Sequence, residues 1–285
     1  MKLNYDFVEA KPLVLPMHEK VSLNLIGCGG TGSWLAASLC RLARVLTEKG
    51  KPTQVTFIDP DIVEQANVTR QNFCDAEIGL NKAQTLAVRY SMAWGIEITA
   101  IPQPLDKMMI DSEQTTLTIL IGCVDNAQAR NSIANALEFH QQWRCSQHAT
   151  SFWWLDCGNH ETSGQVLLGS HLSTEPEFYQ FHELGCIRLP APTLQHPDLL
   201  VPRPEELNNH NLSCEQLAML NAQSLGINQR VAAEATEYLI QLTTRQLKRF
   251  ATYFDLASGS ANSYYLVEKT VFKAINTISL QGLYT

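Results

Sequence analysis

The first clear pattern along the chain is a change of period. An apolar run, Val21 to Ile26, leads straight into Gly27-Cys28-Gly29-Gly30-Thr31-Gly32, and an amphipathic run from Ser33 to about Glu48 follows. A short apolar run, then glycines, then helical spacing predicts strand, turn and helix. The alternation continues. Gln54–Ile58 reads as a second strand, ending on Asp59-Pro60-Asp61, Leu80–Trp94 as a helix and Ile96–Ile101 as a short strand. Leu117–Val124 is a continuous apolar strand of the kind buried on both faces, and Ala127 to about Gln141 is another helix. Strands alternating with helices predict an α/β fold, a Rossmann-like doubly wound and mostly parallel sheet.

The second half follows a different pattern. Phe152–Cys157 and Gly164–Gly169 are strands joined by a polar turn, predicted to add an antiparallel hairpin to the sheet. Thr174–Asn211 carries six of the twelve prolines and no long periodic run, which predicts a long, mobile surface crossing. Ser213 to about Leu242 is helical with a break near Gly226, and Tyr253–Val267 holds one or two short strands around Ser258-Gly259-Ser260. Residues 1–20 contain two prolines and no clear period, and read as an arm or a short irregular lead-in. No shift in composition marks a boundary, so residues 1–285 are read as one domain.

Composition narrows the classes. Of 285 residues, 45% are hydrophobic, enough for a full core, and the net charge of −7 argues against a general nucleic-acid binder. No apolar run is long enough to cross a bilayer. The opening MKLNYDFVEA lacks the apolar core of a signal peptide, so the default location is the cytoplasm. None of the eight cysteines forms a C-x-x-C pair, so a zinc site of local pairs is not expected.

The candidate chemistry begins at the turn. Gly27, Gly29 and Gly32 fit G-x-G-x-x-G, with Gly30 inside it. The first glycine makes the tight turn, the second admits a phosphate to the backbone, and the third packs helix on strand. The helix N-terminus then offers free N–H groups to an anion. Asp59, ending the second strand, is placed to bond ribose hydroxyls. Ile62–Gly79 is too long and too polar for a simple connection, and such ordered loops are often functional. It supplies Asn67, Arg70 and Gln71, with Lys82 just beyond. Asp61 and Asp125 supply carboxylates. Singly, Arg70 and Lys82 read as surface charges and Asp125 as a helix N-cap. Together they suit nucleotidyl transfer, where cations offset charge on phosphate oxygens and a carboxylate holds the bridging magnesium.

In order, Gly27 to Ser33, then Asp59-Pro60-Asp61-Ile62-Val63-Glu64, Asn67 to Phe73, Gly79 with Lys82, and Asp125-Asn126 with Arg130 closely resemble the ThiF/MoeB family. That family is the adenylating core of the ubiquitin-activating enzymes. The likeness covers roughly residues 20–135, and more loosely the helix around 213–240. Within the family the chain looks most like the ThiF-type member of the PRTRC systems. The resemblance implies that the glycine turn holds ATP and that Asp59 and Asp61 lie at the nucleotide. It further implies that Asn67, Arg70 and Lys82 contact the phosphates, that Gln71 supports the loop, and that Asp125 holds Mg²⁺. The implied substrate is the C-terminal carboxylate of a ubiquitin-like or sulfur-carrier protein, which becomes an acyl-adenylate. The implied partners also include a conjugating enzyme and, as a homodimer, a second copy of this chain.

Some relatives pass the acyl group to a cysteine. Cys214 is the candidate here, because Ser213-Cys214-Glu215-Gln216 fits an S-x-x-Q capping box that puts Cys214 in the first turn of a helix, where the thiolate is favoured. A structural cysteine at a helix start reads equally well. Cys186 is second, with no local feature that would activate it. Two departures stand out. The paired C-x-x-C zinc motifs of many relatives are missing, and residues 1–20 hold Lys2, Lys11 and Lys20 but no arginine to reach into a second subunit. Two other classes compete: a non-catalytic nucleotide-binding adaptor of the same fold, and an NAD-dependent oxidoreductase, which leaves the polar loop without a purpose.

Overall fold

The computed structural model describes residues 5–111, 113, 115–141, 149–202 and 225–281. One eight-stranded sheet organises them, in the order β3-β2-β1-β4-β5-β6-β7-β8. Its strands are β1 Lys20–Ile26, β2 Thr53–Ile58, β3 Ile98–Ile101, β4 Thr116–Gly122, β5 Phe152–Asn159, β6 Ser163–Gly169, β7 Arg249–Asp255 and β8 Ser260–Tyr265. The first five are parallel, and the last three run antiparallel to their neighbours. This is the expected doubly wound sheet with antiparallel strands added in the C-terminal half. The expected hairpin is present as β5–β6, but its first strand completes the parallel set beside β4.

The main helices are α2 Gly30–Glu48, α4 Lys82–Trp94, α5 Ala127–Gln141, α7 Leu225–Thr243 and α8 Glu268–Gln281, with single turns α1 Tyr5–Glu9, α3 Gln65–Val68 and α6 Pro192–Gln195. The period of two in β4 sets the layers. Leu117, Ile119 and Ile121 join one core cluster with Leu35 and Leu39 of α2 and Leu239 of α7. Leu120 faces the other way and joins Ile133 and Leu137 of α5 with Phe152 and Trp154. Both faces are covered, so β4 is buried along its whole length, with only Thr116 and Thr118 polar. No helix among the described residues is long and apolar enough to cross a membrane.

Two expectations need correction. The described part of the crossing, up to residue 202, is not a surface strap. Tyr179, Cys186, Leu189, Ala191 and Leu199 are buried in it. Proline removes helical periodicity without removing apolar side chains, so burial there left no periodic signal. Gly169 lets the Pro190 carbonyl come close, since a Cβ there would lie 2.2 Å from that oxygen. Residues 203–211 lie outside the described residues. The lead-in is also no free arm. Leu13 and Leu15 are buried, and backbone bonds join Leu13 N to the Leu247 carbonyl at 2.8 Å and Val14 N to the Cys186 carbonyl at 2.7 Å.

Candidate active site

The sheet order reverses between β1 and β4, and in open α/β sheets ligands bind in that crevice, beyond the carboxyl ends of the strands. β1 ends at the glycine turn, β2 at Asp59, and β4 just before Asp125. Gly27 adopts φ 87°, a region open to glycine, and a Cβ there would lie 2.6 Å from the Cys123 carbonyl oxygen. A Cβ on Gly32 would lie 1.9 Å from the Gly27 carbonyl oxygen, so the third glycine seats α2 against the turn. Helix α2 starts without a capping side chain and without an acid in its first turn. Its first N–H groups and its dipole are therefore available to an anion.

Asp59 is buried and already accepts two backbone bonds, from Cys28 N at 2.6 Å and Asp61 N at 2.8 Å. It stitches the glycine turn to the end of β2. Burial outweighs those bonds and the nearby Lys82, and holds its carboxyl above the usual carboxylate range. The polar loop is ordered by specific contacts. Asn67 Oδ1 caps Glu64 N at 2.9 Å, Asn72 N donates to Ser33 Oγ at 2.9 Å, and Asn72 Nδ2 donates to Tyr90 Oη at 3.0 Å. Arg89 donates to the Asn72 carbonyl at 2.8 Å and pairs with Glu77. The loop is thus pinned to α2 and α4, and it places its cation in a fixed position.

Asn81 caps α4, accepting from Gln84 N at 3.0 Å. Lys82 follows in the first turn, buried, with its ammonium 3.1 Å from Asp61 Oδ2. Arg70 Nε and Gln71 Oε1 are buried without a hydrogen-bond partner. Such orphaned groups suit a ligand. Asp125 is exposed, and the capping role goes to its neighbour: Ala129 N donates to Asn126 Oδ1 at 2.8 Å. Its carboxylate is engaged by Asn126 Nδ2 at 3.3 Å. Mg²⁺ fits this donor set, since it keeps several waters and needs one or two carboxylates beside substrate phosphates. Among the described residues no three His, Cys, Asp or Glu side chains group to hold a metal by themselves.

These groups line one cavity of about 780 Å³: Gly27, Gly29, Gly30, Asp59, Asp61, Asn67, Arg70, Gln71, Lys82 and Asp125. Gly32 does not line it and acts through packing. Arg130, part of the sequence motif, turns away. It is buried, with Nε 3.2 Å from the buried Asp156 and a second nitrogen donating to the Val124 carbonyl at 2.8 Å. Cys214 lies outside the described residues. Cys186 is buried, and burial pushes its thiol up to about 12, which disfavours a nucleophilic thiolate.

The sequence reading missed Asn159, at the end of β5, and Asn228, in the first turns of α7. Both line the cavity. Asn228 had a signal. It lies between Ile227 and Val231, on the face of α7 that the core buries, where a polar side chain is unexpected.

Fold and cavity together define the class: a doubly wound α/β protein with an anion-accepting glycine turn at its crossover. A sequence model of the ThiF family matches residues 17–203, more than half of the chain, and the chain belongs to that family. None of the curated proteins compared with the chain matches it. Among solved structures it is similar to PaaA, at 16% identity and a TM-score of 0.53 over 87% of this chain and 64% of that one. It is also similar to E. coli MccB with ATP, at 16% identity and 0.53 over 87% and 63%, and to MccB with AMPCPP and MccA, at 16% and 0.53 over 92% and 65%. The chain spans under two thirds of the length of these proteins. At this identity the likeness is one of fold.

Proposed function

We propose that this protein is an adenylyltransferase, dependent on ATP and Mg²⁺, that activates the C-terminal carboxylate of a ubiquitin-like or sulfur-carrier protein. One observation carries the reading: the glycine turn, Asp59, Arg70, Lys82 and Asp125 converge on a single cavity from five separate segments. Membership of the ThiF family supports it, as does fold likeness to MccB, whose structures include complexes with ATP and with MccA. In the reaction a carboxylate oxygen of the carrier attacks the α-phosphorus. The bond to the β-phosphate bridging oxygen breaks, and pyrophosphate leaves. Both reactants are anions, so the basic side chains must offset their repulsion and hold them in line. Arg70 and Lys82 do this. Asp59 orients the ribose, and the start of α2 faces the phosphates. Mg²⁺, held by Asp125, would neutralise charge on the phosphate oxygens.

A second cavity, of about 590 Å³, adjoins the first through Asn159; Gly158, Ser163, Gly164 and Gln165 form one part of its wall, and Leu199, Tyr253, Phe254 and Asp255 another. A wall of mixed apolar and polar groups, with glycines that let a backbone approach, suits an extended peptide tail on its way to the α-phosphate. The finer proposals rest on the sequence resemblance: the PRTRC-type subfamily, a conjugating enzyme downstream, a homodimer, and transfer of the acyl group to Cys214. Exchange of pyrophosphate into ATP, dependent on a small ubiquitin-like or sulfur-carrier protein and abolished in Asp125→Ala, supports the enzyme. Tight ATP binding without exchange, for every carrier tried, supports the adaptor instead, and binding of NADH without ATP supports an oxidoreductase.

A further inference from the structure

Asn228 reaches the nucleotide cavity from a helix far along the chain, 197 residues after Thr31 of the glycine turn. Its side chain is fully buried. Thr31 Oγ1 donates to Asn228 Oδ1 at 3.3 Å, and Asn159 Nδ2 donates to the same oxygen. Asn159 Nδ2 also reaches Thr31 Oγ1 at 3.2 Å. On its other side, Asn228 Nδ2 donates to the Arg70 carbonyl at 3.4 Å. One amide therefore ties three walls of the cavity: the first turn of α2, the loop that carries Arg70, and the end of β5.

The fit is close. A Cβ on Gly30 would lie 2.7 Å from Asn228 Oδ1, so the glycine there makes room for this amide. A nearby orphan, Arg70 Nε, belongs to the residue whose carbonyl Asn228 holds. The elements joined are those assigned to the phosphates. The ribose end is built separately, from Asp59 and its bonds to Cys28 N and Asp61 N.

We propose that Asn228 is a positioning residue that fixes the start of α2 and the Arg70 loop at the spacing a nucleotide triphosphate requires, and so sets affinity for the phosphates and not for the nucleoside. The inference rests on the ATP-binding reading of the cavity. It makes α7 part of the nucleotide site, so that undocking this helix would loosen the grip on ATP.

The test measures dissociation constants for ATP with Mg²⁺ and for adenosine, by calorimetry, in the full-length protein and in Asn228→Ala. The expected result is ATP weakened tenfold or more with adenosine changed less than twofold. Asn228→Asp keeps the side-chain volume and the Oδ1 acceptor, loses the donor to the Arg70 carbonyl and adds a negative charge. It should weaken ATP at least as much, again sparing adenosine, and it carries the test if the alanine variant does not fold. Parallel loss of ATP and adenosine, or no change in ATP, overturns the proposal. Failure of the unaltered protein to bind either ligand would overturn the ATP-binding reading on its own account.

Discussion

The two halves of the sheet share a core but differ in what they present at their ends. In the parallel half, β1 and β4 are buried on both faces, and their ends open onto a cavity lined by two basic side chains, four acids and an uncapped helix start. In the antiparallel half, β8 is largely exposed and the adjoining cavity mixes glycines and small polar groups with Leu199, Tyr253, Phe254 and the acids Asp198 and Asp255, while its arginine, Arg130, is bound to Asp156. Of its two acids, Asp255 accepts from Ala257 N at 2.7 Å and Ser258 N at 3.0 Å, closing the β7–β8 turn. On the proposed reading, the contrast separates chemistry from recognition. The strands covered on both faces would hold the charged loops for a triphosphate, and the half-covered antiparallel extension would receive the carrier's tail.

The largest effect should come from cutting into the charged half. Arg70→Ala or Lys82→Ala is expected to lower carrier-dependent pyrophosphate exchange by about 10²–10³-fold, the scale of losing one preorganised stabilising group. Asp255→Asn, in the other half, should change it less than about tenfold, and it should do so through the half-saturating carrier concentration. Equal losses from both halves would erase the distinction.

Next is the joint between the halves. Arg130 and Asp156 are buried together, so Asp156→Ala strands a guanidinium in the interior and should destabilise the fold by about 3–5 kcal/mol. The exposed Lys20–Glu113 pair is the control, and Glu113→Ala should cost about 0–1 kcal/mol. Urea unfolding of both variants checks this.

The smallest effect is on pH dependence. Burial raises the Asp59 carboxyl above its unfolded value, so between those two values the folded state binds more protons than the unfolded state. The Asp59 contribution therefore lowers stability as pH rises through that window, and Asp59→Asn should remove that part of the slope. ATP affinity should move the opposite way: acidification weakens it at a higher pH than for an ordinary carboxylate. Stability and ATP titrations from about pH 4, near the ordinary carboxylate value, up to about pH 8 check both signs.

Much of the charged half was legible in the sequence, because each group there is carried by a local device. The glycine turn announces itself by spacing, Asp59 and Asp125 follow apolar strands, and Arg70 lies in a loop too long to be idle. The element types of this half were also read correctly, since its strands and helices keep clean periods. The remainder depended on long-range packing. The proline-rich segment after residue 174 gave no period although the core buries it. Arg130 entered only as part of the family motif, and its partner Asp156 comes beside it only in the fold. Asn228 meets Thr31 only through tertiary structure, and one polar residue on an apolar helix face was its sole trace.

The most direct measurement is a crystal structure of this protein with a non-hydrolysable ATP analogue and Mg²⁺. The account predicts the triphosphate at the start of α2, with Arg70 and Lys82 on its oxygens and Asp125 on the metal, directly or through water. A nucleotide bound with those three side chains turned away from it, or bound elsewhere, would contradict it.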